Sequence, residues 1–264
     1  MDLAYDGTPF RGFARQLDVR TVQGDLEDAL GRVLACRVTT ACAGRTDAGV
    51  HALGQVVTCP DAPDDADPQR VMSALNGMLS PHVAVVACGA VPESFHARFS
   101  ARSRTYVYAL LNSAPPDPFL ASTTLHHPTP LDVDVMNEAC GHLLGPHDFT
   151  SFGRVPESRG EEDARPSAER VLYALQCSRS GRIVRVKARA NAFIQQMVRS
   201  LVGTLLYVGT GRLSPQDMPG ILEARDRSAA GPVAPPHGLC LVSVEYDSGF
   251  SGVPRPKEQF DPTE

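Results

Sequence analysis

The sequence predicts an α+β protein built from two consecutive β-α-β-β-α-β halves. Segments in which apolar and polar residues alternate are interleaved with segments in which apolar residues recur at helical spacing. The order of these segments is the same in residues 1–103 and in residues 104–247. We therefore expect mixed, largely antiparallel sheets that flank a central cleft, with a flexible Gly/Pro-rich tail at residues 248–264.

The first half begins with a strand at residues 1–6. Because this strand starts almost at residue 1, we expect the natural chain to begin a few residues upstream. A helix follows at 21–35, with its apolar residues on one face and Thr21 as its N-terminal cap. The remaining predicted elements are strands at 37–42 and 53–59, a helix at 68–79 and a strand at 83–91.

The second half repeats this order. A polar turn at 178–181 indicates a hairpin, and Ser214 followed by Pro215 indicates the start of a short helix. Two split β-α-β units of this kind are typical of ferredoxin-like and RNA-recognition folds. The predicted elements are a strand at 104–112, a helix at 133–144, hairpin strands at 169–177 and 182–190, a helix at 192–208 and a strand at 239–247.

The strand at 182–190 has two different faces, because successive side chains of a strand point to opposite sides. Valine and alanine occupy one face, and Arg185, Lys187 and Arg189 occupy the other. The basic face is either a solvated outer surface or a positive strip that binds an RNA backbone. On this pattern alone the solvated surface is favoured.

Composition excludes several functional classes. Hydrophobic residues make up 42% and charged residues 21%, and no apolar run is long enough to span a bilayer. The seven cysteines are scattered, no two form C-x-x-C, and no secretion signal precedes them, so we expect reduced thiols in the cytoplasm and no metal site. Net charge is −5, which does not by itself indicate a nucleic-acid partner. Residues 151–200, however, hold ten basic and five acidic residues, a local excess of positive charge.

The most unusual segment is AGRTDAGVH at residues 43–51, which lies between two predicted strands. Its glycines permit a tight backbone and close approach of a ligand. Arg45 and Asp47, two residues apart, could both point into a cleft. A lone aspartate in a glycine-rich loop is more often a turn residue than a catalyst. Composition alone therefore leaves both interpretations open.

The same segment resembles the signature of the tRNA pseudouridine synthase A family. Other segments that resemble this family follow in the same order and cover nearly all of residues 3–247. In chain order they are YDG (5–7), RTVQG (20–24), FHARFSA (95–101), RTYVY (104–108), DFTSF (148–152), NAF (191–193), MVR (197–199), GTL (203–205) and PPHGL (235–239).

The resemblance implies a tRNA-uridine isomerase that works without a cofactor or metal. It implies that Asp47 is the nucleophile, that Arg199 is its ion-pair partner and that Tyr106 is the active-site tyrosine. Leu239 matches an apolar residue of the uracil pocket, although core packing is a close alternative. Uracil leaves ribose at N1, rotates and rejoins through C5, and the sequence does not decide whether the carboxylate first attacks C1′ or C6.

The resemblance also implies a homodimer that modifies uridines 38, 39 and/or 40 of the tRNA anticodon stem-loop. The target base must flip out of its stack, and Arg45 is the candidate to take its place or to hold the flanking phosphate. Arg15 is a candidate RNA contact. Its segment departs from the family pattern, since GFARQ at 12–16 stands where Gly-Trp-Gln-Arg-Gln is common. Thr46 is expected to shape the loop, whereas His51 could be structural or contact RNA.

Two other functions are compatible with the sequence. A non-catalytic RNA-binding module of tandem RNA-recognition-like halves would need exposed aromatic residues on its central strands, and only Tyr106 and Tyr108 fit. A cofactor-free hydrolase acting at a glycosidic carbon would normally need two carboxylates, and only Asp47 lies in a suitable loop. The loop at 153–166, which holds Arg154, Arg159 and Arg165, could either grip RNA or vary freely at the surface.

Overall fold

The computed structural model describes residues 1–155 and 167–247. It confirms an α+β protein whose strand pairs are mostly antiparallel. The chain divides into two compact units, Met1–Arg104 together with the described residues from Cys240 onward, and Thr105–Leu239. The predicted tail at 248–264 and residues 156–166 of the predicted loop lie outside the described residues. Among the described helices, none is long and apolar enough to cross a membrane.

The first unit confirms the predicted β-α-β-β-α-β order. Strand β1 lies between β3 and β4 and is antiparallel to both. Strand β2 pairs with β3 in an antiparallel sense, and β10, from the end of the chain, pairs with β3 in a parallel sense. The elements are β1 (Asp2–Tyr5), α1 (Val22–Leu34), β2 (Ala41–Cys42), β3 (His51–Thr58), α2 (Pro68–Leu79), β4 (Val83–Ala87) and β10 (Leu239–Tyr246).

Both helices of the first unit begin at side-chain caps. The Thr21 hydroxyl accepts a hydrogen bond from the Gly24 N–H at 3.2 Å, as predicted, and the Asp67 carboxylate accepts one from Gln69. The apolar faces of α1 and α2 are buried, and the two helices contact each other. Burial of these faces holds the helices in place, because helices of this length are marginal alone.

In the second unit, β9 lies between β5 and β8, and β7 pairs with β8 at the edge. Strands β8 and β9 form the long predicted hairpin, and α3 packs on β8 and on α4. Strand β5 begins in the first unit and continues into the second. The elements are β5 (Ala101–Leu111), β6 (Leu125–His126), α3 (Val133–Gly141), β7 (Gly145–Asp148), β8 (Glu169–Ser180), β9 (Ile183–Ala190), α4 (Met197–Gly209) and α5 (Met218–Ala224).

The strand prediction for 37–42 is wrong over most of its length. Only Ala41–Cys42 pairs with β3, because the preceding backbone groups bond to side chains instead. Thr40 donates its N–H to the Glu27 carboxylate at 2.8 Å, and its carbonyl accepts from Gln23 at 2.9 Å. Thr39 donates its N–H to the Asp61 carboxylate at 2.7 Å. These bonds remove the groups that a longer ladder would need.

The helix prediction for 192–208 is also wrong at its start. Helix α4 begins at Met197, because Gln196 has φ of 63°, which is left-handed and cannot continue an α-helix. The N–H of Arg154 also bonds to the Gln195 carbonyl at 3.0 Å, which ties the preceding segment to another part of the chain. The helix prediction for 133–144 overruns α3 by three residues. The ferredoxin-like description of each half stays a prediction.

Candidate active site

The loop at 43–51 joins β2 to β3 in the first unit. Arg45 is exposed, Thr46 is buried and Asp47 is half-buried. The loop turns tightly, since the Val50 N–H donates to the Asp47 carbonyl at 3.2 Å and Gly49 has φ of 77°. The turn gives Asp47 a defined backbone position from which its carboxylate can act.

Buried polar side chains support this loop from beneath. The hydroxyls of Thr46 and Tyr5 are 2.8 Å apart, and the side-chain amide of Gln55 donates to the Gly44 carbonyl at 2.7 Å. The Phe13 N–H donates to the Thr46 carbonyl at 3.0 Å. Burial raises the pKa of Tyr5, so its hydroxyl stays neutral and available as a donor. Thr46 shapes the loop, as predicted.

Two glycines let neighbouring backbone approach the loop closely. Gly12 has φ of +103°, and a Cβ built on it would lie 3.1 Å from the Thr46 carbonyl oxygen. A Cβ on Gly7 would lie only 2.1 Å from the Val50 carbonyl oxygen. Side chains at either position would displace the loop that carries Asp47.

Arg104 anchors the start of the loop, a role that the sequence did not reveal. Its guanidinium is buried and donates from Nη2 to the Ala43 carbonyl at 2.9 Å and to the Arg98 carbonyl at 2.8 Å. Nη1 donates to the Ala101 carbonyl at 3.2 Å. One side chain therefore holds the Asp47 loop and the segment before β5 together. Its place directly before Thr105 and Tyr106 in RTYVY was the only signal available.

Two further predicted candidates of the first unit are held by neighbouring groups. Arg15 makes ion pairs with Glu27 at 3.3 Å and Asp28 at 2.9 Å on α1, while about half of its side chain stays exposed. His51 is buried; its Nδ1 accepts the Gly7 N–H at 3.1 Å. The packing of His51 favours its structural interpretation.

The second unit contains Arg199, in the first turn of α4. Its Nε donates to the Ala234 carbonyl at 2.7 Å, and the Ala234 N–H donates back to the Arg199 carbonyl at 3.0 Å. The segment around Ala234 packs tightly on α4, since a Cβ on Gly203 would lie 1.7 Å from the Pro232 carbonyl oxygen. These contacts fix the direction in which the guanidinium leaves the helix.

Tyr106 and Tyr108 of β5 are both buried. The ring of Tyr106 meets Phe193 edge-on, with centroids 5.2 Å apart. The Tyr108 hydroxyl donates to the Pro235 carbonyl at 2.8 Å; burial raises the pKa of Tyr108, and the charge of Arg199 opposes that rise. Leu239 is buried at the start of β10.

The basic face of β9 alternates with its apolar face, as predicted. Val184, Val186, Ala188 and Ala190 are buried. Lys187 is exposed, whereas Arg185 and Arg189 are half-buried, and the Arg189 guanidinium lies 5.3 Å from the Tyr173 ring centroid.

The described residues thus bring Arg45 and Asp47 together on one loop of the first unit, with Arg15 elsewhere in that unit. Tyr106, Arg199, Leu239 and the basic residues of β9 belong to the second unit. Within 1–155 and 167–247, no three His, Cys, Asp or Glu side chains form a group that could hold a metal ion. All seven cysteines are free thiols.

Comparison with known proteins gives one consistent result. A family model described as tRNA pseudouridine synthase matches residues 3–100 and 139–247. The tRNA pseudouridine synthase A of Cereibacter sphaeroides is 45% identical over 93% of this chain and 95% of its own length. That of Rhodopseudomonas palustris is 42% identical over 93% and 97%. A chain from the crystal structure of a Cbf5-Nop10-Gar1 complex is 13% identical over 78% and 54%, with a TM-score of 0.29, too low to support an argument about fold.

Proposed function

Because the chain belongs to the tRNA pseudouridine synthase A family, it is an isomerase of uridine in tRNA, and we propose that Asp47 is the nucleophile of that reaction. The proposal rests chiefly on one observation. The half-buried carboxylate is carried on a tight turn that Tyr5, Gln55 and Arg104 hold in place. A nucleophile gains most from such a fixed position, because reaction requires a defined approach to the substrate carbon.

The proposed chemistry needs no external reagent. The carboxylate attacks either ribose C1′ or uracil C6, the N1–C1′ bond breaks, and uracil rotates within the site. A C5–C1′ bond then forms, the bond between the Asp47 carboxylate and the substrate breaks so that the carboxylate is regenerated, and the proton on C5 leaves while N1 gains one. The bonds and charges balance without an oxidant or reductant, so we propose that no cofactor takes part.

We assign the supporting roles to residues from both units. We propose Arg199 as the ion-pair partner of Asp47, and Tyr106 as the residue that stacks on uracil and assists removal of the C5 proton. Arg45 occupies the space of the flipped uridine or holds its flanking phosphate. Leu239 supplies an apolar wall of the uracil pocket. The burial of Tyr106 and Leu239 supports roles in an enclosed site rather than at an open RNA surface.

The proposed substrate surface extends beyond the reacting uridine. We propose that Arg15, Arg185, Lys187 and Arg189 contact the RNA backbone, and that the targets are the uridines of the anticodon stem-loop named above. The exposure of Lys187 and the half-exposed side chain of Arg15 support such contacts. We further propose that the protein acts as a homodimer, which sedimentation of the chain with and without tRNA would test. Sedimentation as a monomer under both conditions would contradict the dimer.

The test is tritium release from unmodified tRNA labelled at C5 of uridine. Pseudouridine formation releases the label without freeing uracil, a hydrolase frees uracil, and a binding module does neither. We expect Asp47→Asn to abolish release while tRNA binding is retained, and Asp65→Asn, at an exposed position, to leave release unchanged. Release by Asp47→Asn would overturn the nucleophile assignment. Mapping pseudouridine in the product outside the anticodon arm would overturn the proposed target positions.

The two aromatic residues on β5 that the non-catalytic alternative would use do not support it. Stacking of RNA on a sheet surface needs exposed aromatic rings. Tyr106 is 8% exposed and Tyr108 is 0% exposed, and the Tyr108 hydroxyl is engaged by a backbone carbonyl.

A further inference from the structure

The aromatic ring of Phe99 is exposed on a turn at residues 96–100 of the first unit, just before β5. The side chain of Phe99 is 77% exposed, which is unusual for so large an apolar group. The His96 ring lies 4.5 Å from it, and the Arg98 guanidinium lies 5.6 Å from its centroid. The turn places apolar and basic groups side by side in solvent.

The turn is held by its own hydrogen bonds. The Nδ1 of His96 accepts the backbone N–H groups of Arg98 at 3.1 Å and Phe99 at 3.4 Å. The Ser100 hydroxyl accepts the His96 N–H at 3.0 Å, and the Ser100 N–H donates to the His96 carbonyl at 2.9 Å. An exposed ring on an ordered turn loses little conformational freedom when it binds, so it can stack on a ligand at low entropic cost.

The turn is also fastened to the rest of the unit. The Tyr246 hydroxyl donates to the Ala97 carbonyl at 2.7 Å, and the Tyr246 ring packs on Phe95 at 4.9 Å. On its other side, Nη2 of Arg104 bonds both the Arg98 carbonyl and the Ala43 carbonyl, where the Asp47 loop begins. The turn at 96–100 and the loop at 43–51 are therefore both bonded to Arg104, which fixes the position of one relative to the other.

The charge around this turn is suited to an anion. Arg98 and Arg45 are both exposed. Burial raises the pKa of the Cys42 thiol to about 11, and the charges of Arg45 and Arg98 both oppose that rise, so both guanidiniums act on the same buried thiol. The Arg98 guanidinium beside the exposed ring combines phosphate attraction with a stacking surface, the combination that proteins use to hold unpaired nucleotides.

We propose that Phe99 stacks on a nucleobase of the tRNA substrate other than the reacting uridine, with Arg98 binding the adjoining phosphate. This inference rests on the proposed function, because it assigns a second nucleotide contact to the substrate of the same enzyme. Arg104 keeps this contact in register with Asp47. Phe99 and Arg98 together position the RNA strand before the target uridine leaves its stack.

The first test compares tRNA affinity among substitutions at position 99. Loss of base stacking costs about 1–3 kcal/mol per base, so Phe99→Ala should bind unmodified tRNA about tenfold more weakly. Phe99→Leu keeps an apolar side chain but has no ring, and we expect the same loss. The matched control is Phe119→Ala, which removes a ring that is 93% exposed in the second unit and should leave affinity unchanged. Wild-type affinity in Phe99→Leu or Phe99→Ala would overturn the proposal.

The second test uses the absence of tryptophan from the chain. Phe99→Trp introduces a single indole, keeps a stacking ring and should retain wild-type affinity. Its fluorescence should be strongly quenched by saturating tRNA, whereas that of Phe119→Trp should change little. Equal responses from the two variants, or no quenching at position 99, would overturn the proposal.

Tritium release and sedimentation distinguish failure of the proposed function from failure of the stacking inference. If the wild-type protein releases no tritium, the proposed function fails; if it releases tritium but the Phe99 variants bind normally, only the stacking inference fails. A change in sedimentation by Phe99→Ala without a change in tRNA affinity would assign the ring to contact between two copies of the chain, which would also overturn the proposal.

Discussion

At the scale of single residues, the guanidinium of Arg104 connects the Asp47 loop to its surroundings through directed bonds. We expect Arg104→Lys to lower kcat by about 10- to 100-fold, since displacement of a catalytic group by about 1 Å has an effect of that size. A lysine ammonium cannot bond the Ala43, Arg98 and Ala101 carbonyls in the planar geometry of a guanidinium. Steady-state tritium release would measure kcat and KM separately.

The control for this prediction is Arg102→Lys, two residues earlier on β5. That side chain is mostly exposed and pairs with Asp247 at 2.6 Å, away from the loop backbone. Its kcat should match the wild type. Wild-type kcat in Arg104→Lys, with an unchanged melting temperature, would show that the buried bonds do not position Asp47.

The residue scale also shows what the sequence could and could not reveal about the site. Asp47 and Arg45 stand in an unusual glycine-rich run, so local composition makes them candidates, and the family resemblance predicts their roles. Tyr5, Gln55 and Arg104 contact the same loop from positions up to 61 residues away. No local pattern encodes such a hydrogen bond, because its partners meet only after the sheet has formed.

At the scale of elements, the start of α4 depends on the left-handed backbone at Gln196. A non-glycine residue there costs about 1 kcal/mol or more, whereas glycine adopts φ near +63° freely. We expect Gln196→Gly to keep or raise the free energy of unfolding by up to about 1 kcal/mol. Gln195→Gly, at a neighbouring residue without positive φ, should lower it by about 0.5–1 kcal/mol. Urea denaturation would measure both, and equal losses would contradict the prediction.

A second element, the 3₁₀ turn at Thr150–Phe152, gives a pH-dependent prediction. The Thr150 hydroxyl donates to the Asp148 carboxylate at 2.6 Å and holds the pKa of that group below its usual value, with Arg225 adding at 3.2 Å. A lowered folded pKa stabilises the fold above the unfolded pKa, and that stability is lost as pH falls through the folded pKa. Thr150→Val should therefore cost about 1 kcal/mol at pH 7, and the cost should shrink below about pH 4.

The matched control is Thr123→Val, whose hydroxyl faces the Leu120 carbonyl rather than a carboxylate. Its effect on the free energy of unfolding should not vary with pH between 3 and 7. A Thr150→Val effect that is equally flat over this range would show that the hydrogen bond to Asp148 does not set the pH dependence.

Element prediction succeeded where one face of a segment is buried and failed where other contacts compete. Helix α2 matches its predicted bounds because its apolar side is regular and Asp67 caps it. Residues 37–40 have strand-like composition, yet side chains from α1 and Asp61 take their backbone groups. Strands β6 and β7 were missed, since two- and four-residue strands carry too few side chains to show a period.

At the scale of the whole molecule, the order of the longer elements follows from the sequence but their grouping does not. Strand β10 follows the second half in the chain, yet from Cys240 it clusters with the first unit and pairs in parallel with β3. A parallel pairing between strands so far apart in sequence has no local turn to signal it. The family resemblance matches residues of both strands but does not by itself state that the strands pair.

The charge of the whole molecule makes RNA binding a local matter. With 30 acidic and 25 basic residues, the chain as a whole repels a polyanion, so binding must come from basic surfaces that contact phosphates directly. Each such contact releases counterions, and the logarithm of affinity should fall steeply and linearly with the logarithm of salt concentration.

Lys187→Ala should weaken binding and reduce that slope by about one, whereas Arg70→Ala, at an exposed arginine paired with Asp67, should leave it unchanged. Filter binding between low and physiological salt would measure both slopes. A wild-type affinity that does not change with salt would contradict the proposed phosphate contacts. Equal slopes for Lys187→Ala and the wild type would contradict the proposed contact between β9 and the RNA backbone.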